Sequence, residues 1–177
     1  MDDIVLFGPP GCGKGTQAKR LKGHRHISTG DLFRNAVKNE TSIGKRIKDI
    51  LGNGLLIPDE ITLELVDSVI EGLPVVWDGF PRTVPQAEAL DNMLEKHKRE
   101  IGLVFNLRVP DHVLLDRVLC RFATSGREDD NQSTFAIRLA TYYRETEPVL
   151  NYYGARVVTL DGMESVDQIA ARIGRMV

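Results

Sequence analysis

"VLFGPPGCGKGTQAKRL", Val5 to Leu21, sets a glycine-rich turn between a short apolar run and a helix-like segment. Ile4–Phe7 is uninterrupted apolar sequence, as expected of a strand buried on both faces. The turn nearly fits the pattern G-x-x-x-x-G-K-[ST], with Gly8, Gly13 and Lys14 in place. Gly15 stands where a hydroxyl residue is expected, and Thr16 follows one position later. Glycines in such a turn let backbone N–H groups point inward around a phosphate, and the following helix adds its positive N-terminus. Lys14 then reaches the outer phosphates as a point charge. A dinucleotide-binding turn fits less well, because it needs no lysine and wants an acid about 20 residues on.

The pattern after the turn alternates helices with short buried strands. The helix opened by Gly13 is expected to run to about Lys22. "ISTGDLFRNAVK" starts a second, with Ser28 as cap, and "SIGKRIKDILGNG" a third that stops at Gly52 and Gly54. "IPDEITLELVDSVIEG" restarts at Pro58 and Asp59. "PVVWDGF", "GLVFNLRV" and "ARVVTLDG" are further strands. Helices are expected over Pro85 to about Lys98, Asp111 to about Phe122, and Asn131 to Tyr153, the last kinked or split by Pro148. "SVDQIAARIGRM" closes the chain with Ser165 and Gln168 as a capping box. The expected fold is therefore α/β: a three-layer parallel sheet of about five strands, helices on both faces, of P-loop NTPase type. Ligands bind beyond the carboxyl ends of such strands, where the glycine-rich turn falls.

A length of 177 residues suits one domain, and a formal charge of −2 argues against a general binder of nucleic acid or membrane surfaces. No apolar run is long enough to span a bilayer, and "MDDIVLFG" lacks the basic start of a secretory leader. The two cysteines, Cys12 and Cys120, have no metal-ligand spacing and are expected to be reduced thiols in the cytoplasm. Cys12 is expected to bring a thiol near bound phosphates; Cys120 is expected to be buried on its helix. Trp77 reads as core, and the four histidines, His24, His26, His97 and His112, carry no ligand spacing.

"VVWDGFPR" ends a strand in Asp78, the form of a Walker-B acid beside Mg²⁺. Arginines recur at turns and strand ends: Arg34, Arg82, Arg117, Arg121, Arg127 and Arg138. Phosphoryl transfer between two anionic nucleotides needs such converging positive charge.

"GPPGCGKGTQAKRL", "ISTGDLFR", "DGFPRTVPQAEAL", "RFATSGREDD" and "RLATYYRETEPVLNYY" resemble, in order and over nearly the whole chain, the motifs of adenylate kinases. The resemblance includes that family's Gly-Lys-Gly-Thr form of the turn. It implies Mg²⁺-dependent, reversible transfer from ATP to AMP giving two ADP, and so a role in adenine nucleotide balance. It implies that Gly11, Cys12, Gly13, Lys14, Gly15 and Thr16, with Arg117 and Arg121, bind ATP. AMP would be lined by Thr29, Arg34, Leu55, Leu56, Ile57, Gly79, Phe80, Pro81, Arg82 and Gln86, with Arg127 and Arg138 on the reacting phosphates. Lys14, Arg82, Arg121, Arg127 and Arg138 would be catalytic; Asp78 and Thr16 would hold Mg²⁺ through water, and Asp129 and Asp130 would orient the lid arginines. Residues 28–57 would form a helical AMP-binding insertion in a single domain. About 121–130 would form a short lid, too short for a zinc-binding hairpin, so no structural zinc is expected. A monomer acting on small molecules, without nucleic acid or membrane partners, is the corresponding expectation. A UMP/CMP kinase on the same scaffold remains the near alternative, and a P-loop switch without transfer activity the distant one. Thr29 and Gln86 favour adenine, since an amide offers a donor and an acceptor to its ring nitrogen and exocyclic amine.

Overall fold

The computed structural model describes residues 2–125 and 127–177, with Glu128 by its backbone alone; Gly126, inside the expected lid, lies outside the described residues. Five strands form one parallel sheet: β1 Asp3–Phe7, β2 Arg25–Ser28, β3 Val75–Asp78, β4 Ile101–Arg108 and β5 Val157–Asp161. Their order is β2-β3-β1-β4-β5. Four of them are the apolar runs legible in the sequence. β2, "RHIS", is a short edge strand with one buried residue, Ile27, so no hydrophobic run announces it.

Alternation along the strands divides the core. Val5 and Phe7 of β1 face one cluster with Trp77, Leu90, Leu94 and Val149. Ile4 and Leu6 face the other with Phe105, Leu114, Val118 and Ile173. The helices covering these faces are α1 Lys14–Ala18, α4 Asp59–Asp67, α5 Val84–Lys96, α6 Asp111–Ser125, α7 Gln132–Thr141, α8 Val149–Tyr153 and α9 Val166–Gly174. This is the expected three-layer arrangement. Between β2 and α4, α2 Thr29–Lys38 and α3 Ser42–Gly52 build a small core of their own around Phe33, Ile47, Ile57 and Ile61. Ser28 caps α2 by accepting from the Asp31 N–H, and Ser165 and Gln168 form the capping box of α9.

Helix limits moved where the chain had to turn. α1 stops at Ala18, short of Lys22, because Gly23, at φ 83°, already turns the chain toward β2. α6 runs on to Ser125. The long segment ending at Tyr153 splits as Pro148 requires, and the break is a π-helical turn over Tyr142–Thr146, in which the Glu147 N–H bonds to the Tyr142 carbonyl. Cys120, expected to be buried, is exposed: it lies on the outer face of α6, whose buried residues are Leu114 and Val118.

At the amino ends of the strands, Asp3 is fully buried. Its carboxylate accepts from Trp77 Nε1 at 2.7 Å, the Val75 N–H at 3.2 Å, and Arg99 Nε and NH2 at 2.9 and 2.6 Å. It ties β1, β3 and the approach to β4 together. Arg99→Ala would leave that carboxylate buried and under-compensated, which costs about 3–5 kcal/mol. The denaturant midpoint should fall accordingly with an unchanged slope; a loss below about 1 kcal/mol would show that Asp3 needs no cation.

Candidate active site

Leu6 of β1 pairs with Asp78 of β3, so the loops leaving these two strands begin side by side. The loop after β1 turns through Gly8, Gly11 and Gly13 at φ 139°, 88° and 104°, a region other residues enter only under strain. Gly13 leads into α1 without a side-chain cap, leaving the helix end to a ligand. Lys14 folds back on the loop, donating to the Gly8 and Pro9 carbonyls at 2.6 and 3.0 Å. Cys12 is 2% exposed and packs in the cluster of Ile4, Leu6 and Leu107, its sulfur 3.6 Å from Lys14 Nζ. Its thiol belongs to the packing beneath the loop.

Asp78 explains the displaced hydroxyl. A Cβ at position 15 would lie 3.1 Å from Asp78 Oδ2, closer than side chains ordinarily pack. Glycine lets the carboxylate sit against the loop, and Thr16 follows, lining the same cleft. A single carboxylate here suits Mg²⁺, which is commonly bound by one or two carboxylates, water and substrate phosphates rather than a protein cage. Among the described residues no group of three or more His, Cys, Asp or Glu forms such a cage. His26 Nε2 stands 3.3 Å from Asp78 Oδ2, a contact that sequence spacing did not suggest. The signal was positional: His26 is two residues before the cap of α2, on a strand parallel to β3.

Two buried carboxylates organise the arginines. Arg121 grips Asp130 with two bonds of 2.6 and 2.8 Å, and Arg127 grips Asp129 with two of 3.2 and 2.8 Å. Arg138 NH1 reaches Asp129 Oδ2 at 3.1 Å and Asp130 Oδ1 at 2.9 Å, while Arg34 NH1 lies 3.7 Å from Asp129. Burial opposes the charge on Asp129, but the Arg127 hydrogen bond and the charges of Arg138, Arg127 and Arg34 win, holding its pKa down to about 2. Asp130 is lowered for the same kind of reason. Arg127 is raised, burial being outweighed by Asp129 and Asp130. Arg82, which donates to the Gly79 carbonyl at 2.8 Å, is pushed down to about 10 by burial and by Arg138. It stays cationic near neutrality, in a place where positive charge is unfavourable until an anion arrives.

The phosphate turn, Asp78 and the arginines Arg34, Arg82, Arg121, Arg127 and Arg138 line one cleft of about 810 Å³, which also takes in Arg117, Phe80 and Pro81. Arg117 donates to the Gly162 carbonyl at 3.0 Å. Beside the cleft, Thr29, Leu55, Leu56, Ile57 and Gln86 line a second cavity of only about 40 Å³, and Arg34, Arg82, Arg138 and Gly79 border both. The second cavity is closed to a nucleotide in this conformation. Thr29 is buried and donates to the Gly79 carbonyl at 2.9 Å, and Gln86 is 2% exposed. Phe80 contributes backbone here, since its ring packs on Trp77 in the core.

Comparison with known proteins agrees with this geometry. The family model for adenylate kinase matches residues 6–158. The chain belongs to the adenylate kinase family. It is 46% identical to an adenylate kinase of Phenylobacterium zucineum over 97% of this chain and 95% of that protein. Adenylate kinases of Hyphomonas neptunium and Porphyromonas gingivalis are 44% and 39% identical, over 97% and 100% of this chain and 95% and 96% of theirs. As an adenylate kinase the chain is a phosphotransferase, and among its described residues no helix is long and apolar enough to cross a membrane. Gly15→Ala should push Asp78 off the loop: the Mg²⁺ concentration for half-maximal rate should rise several-fold while the KM for the acceptor holds. An unchanged Mg²⁺ dependence would detach Asp78 from the metal.

Proposed function

We propose that the cleft carries out reversible phosphoryl transfer from ATP to AMP, giving two ADP, with Mg²⁺ bound to the ATP phosphates beside Asp78 and Thr16. The observation that carries this reading is the position of Arg82 and Arg138 on the border between the large cleft and the small cavity. ATP occupies the large cleft, its phosphates on the turn from Gly11 to Thr16, with Lys14 released from the Gly8 and Pro9 carbonyls. Arg117 and Arg121 serve the same nucleotide. AMP enters the cavity under residues 28–57, its base between Thr29, Gln86 and the Leu55–Ile57 segment, its phosphate on Arg34, Arg82 and Arg138.

Bound Mg²⁺ neutralises charge on the phosphate oxygens. The protein's share is positioning and preorganised positive charge, which is where catalysis of phosphoryl transfer lies. Arg127 and Arg138 are gathered at the cleft by Asp129 and Asp130, from which an anion of higher charge draws them. Arg82 gains most, because burial and the charge of Arg138 disfavour its own until the transferring group supplies a complement, whereas Arg138 already rests on Asp129 and Asp130. The segment of about 121–130 acts as a short lid that shields this group from water, so that ATP is not hydrolysed instead. We further propose that the protein works as a cytoplasmic monomer.

A coupled assay with Mg²⁺, ATP and a panel of nucleoside monophosphates tests the proposal. AMP should exceed UMP and CMP by at least about 10² in kcat/KM, because a site built to hydrogen-bond one base leaves buried groups unpaired with another. Arg138→Ala and Arg82→Ala should each lower kcat by about 10³ or more. UMP matching AMP would reassign the acceptor, and an effect confined to KM would move the arginines from transfer to binding.

A further inference from the structure

Gln86 does not present a free amide. Its Oε1 accepts from the Arg82 N–H at 2.8 Å, and its Nε2 donates to Asp59 Oδ1 at 2.6 Å. The other carboxylate oxygen, Asp59 Oδ2, accepts from Thr83 Oγ1 at 3.1 Å, and Thr83 Oγ1 in turn accepts from the Gln86 N–H at 3.2 Å. Three of these bonds close a ring of Asp59, Thr83 and Gln86, and the fourth anchors it to Arg82, joining the first residue of α4, the end of the β3–α5 loop and the first turn of α5. Every direction in the ring is forced. A peptide N–H only donates and a carboxylate only accepts, so the amide oxygen must face Arg82 and the amide nitrogen must face Asp59. Thr83 Oγ1 accepts from the Gln86 N–H, and its proton goes to Asp59, because the carboxylate can only accept. Turned over, the amide would set its oxygen against a carboxylate and its N–H₂ against an N–H.

A role at the helix start explains an acid at position 59, since carboxylates suit a helix N-terminus. It does not explain why both oxygens are turned away from α4 onto Gln86 and Thr83. We propose that Asp59 is a positioning residue that locks the Gln86 amide in one orientation and thereby sets the choice between 6-amino and 6-oxo purine acceptors. This rests on the reading in which Gln86 faces the acceptor base. With one N–H and one oxygen lone pair already committed, the amide keeps one of each for a ligand. Adenine offers an acceptor at N1 beside a donor at its 6-amine, which the locked amide matches. Hypoxanthine offers the reverse, N1–H beside a 6-oxo group, and only a turned amide matches it. An unlocked glutamine reads both; a glutamine held between a carboxylate and a peptide N–H reads one.

The test measures kcat/KM for AMP and for IMP, with Mg²⁺ and ATP, in the wild type and in Asp59→Asn, Thr83→Ala and Gln86→Ala. Asparagine is isosteric but can turn its own amide, so it removes the carboxylate's half of the lock and leaves only the Arg82 N–H to oppose a turned Gln86. Asp59→Asn should lower the AMP:IMP ratio by about tenfold or more, mainly by admitting IMP, with the KM for ATP unchanged. Thr83→Ala strips the hydroxyl from Asp59 Oδ2 and should move the ratio the same way by less, giving a second route if the first variant folds poorly. A purely structural defect would scale both substrates together. Gln86→Ala should collapse the ratio, and adding Asp59→Asn to it should change the ratio no further. If Gln86→Ala collapses the ratio while Asp59→Asn and Thr83→Ala keep it, the lock is disproved. If Gln86→Ala itself keeps the ratio, the reading of Gln86 as the base-facing group falls.

Discussion

Positive charge has to be gathered in a partly buried cleft before any phosphate arrives, and the pair Asp129–Asp130 makes that possible. Arg34, Arg121, Arg127 and Arg138 converge on these two carboxylates from α2, α6, the lid segment and α7. Without them the guanidiniums would repel one another at short range in a medium that screens poorly. With them, each is oriented and the four positive charges are offset by two negative ones, and the carboxylate oxygens take directions in which phosphate oxygens are also bound well. The arrangement is poised, since an anion with more charge and more oxygens competes directly for the same donors. It also links distant parts of the chain: Asp129 bridges the helical insertion, through Arg34, to α7, through Arg138.

The sheet supplies the frame on which this charge acts. β1 and β3 are neighbours, so the phosphate turn and Asp78 leave the sheet together, and the helix that follows the turn points its positive end into the cleft. Asp3 fixes the opposite ends of the same strands, out of reach of the chemistry. Gly15 leaves the contact between Asp78 and the turn undisturbed: a Cβ there would lie 3.1 Å from Asp78 Oδ2, so the acid or the turn would shift by a few tenths of an ångström.

Much of this was legible in the sequence. Strands buried on both faces read as apolar runs, helix starts carried their caps, and Pro148 marked its break. β2 was not legible, because an edge strand of four residues with two exposed or half-exposed basic and imidazole groups has no hydrophobic signature. Nor was Asp3 visible as anything but an acid near the start; its role comes from Trp77, Val75 and Arg99, none of them near it in sequence. At the site, the motif arginines and Gln86 do line the cleft and its side cavity. The contacts between them were hidden. His26 against Asp78, and Asp59 against Gln86, are pairings 52 and 27 residues apart, and only the fold closes such distances. Cys120 misled because helical periodicity locates a stripe without saying how wide the buried part will be.

For transfer to occur, phosphate must replace the Asp129 carboxylate on the arginines. A crystal structure of the chain with AMP, a non-hydrolysable ATP analogue and Mg²⁺ measures this directly. The expected result is a cavity under residues 28–57 opened to hold AMP, with Arg34 and Arg138 turned from Asp129 to phosphate oxygens and Arg82 between the two nucleotides. Nucleotides bound with Asp129 still seated on Arg34 and Arg138, and Arg82 remote from both phosphates, would contradict it.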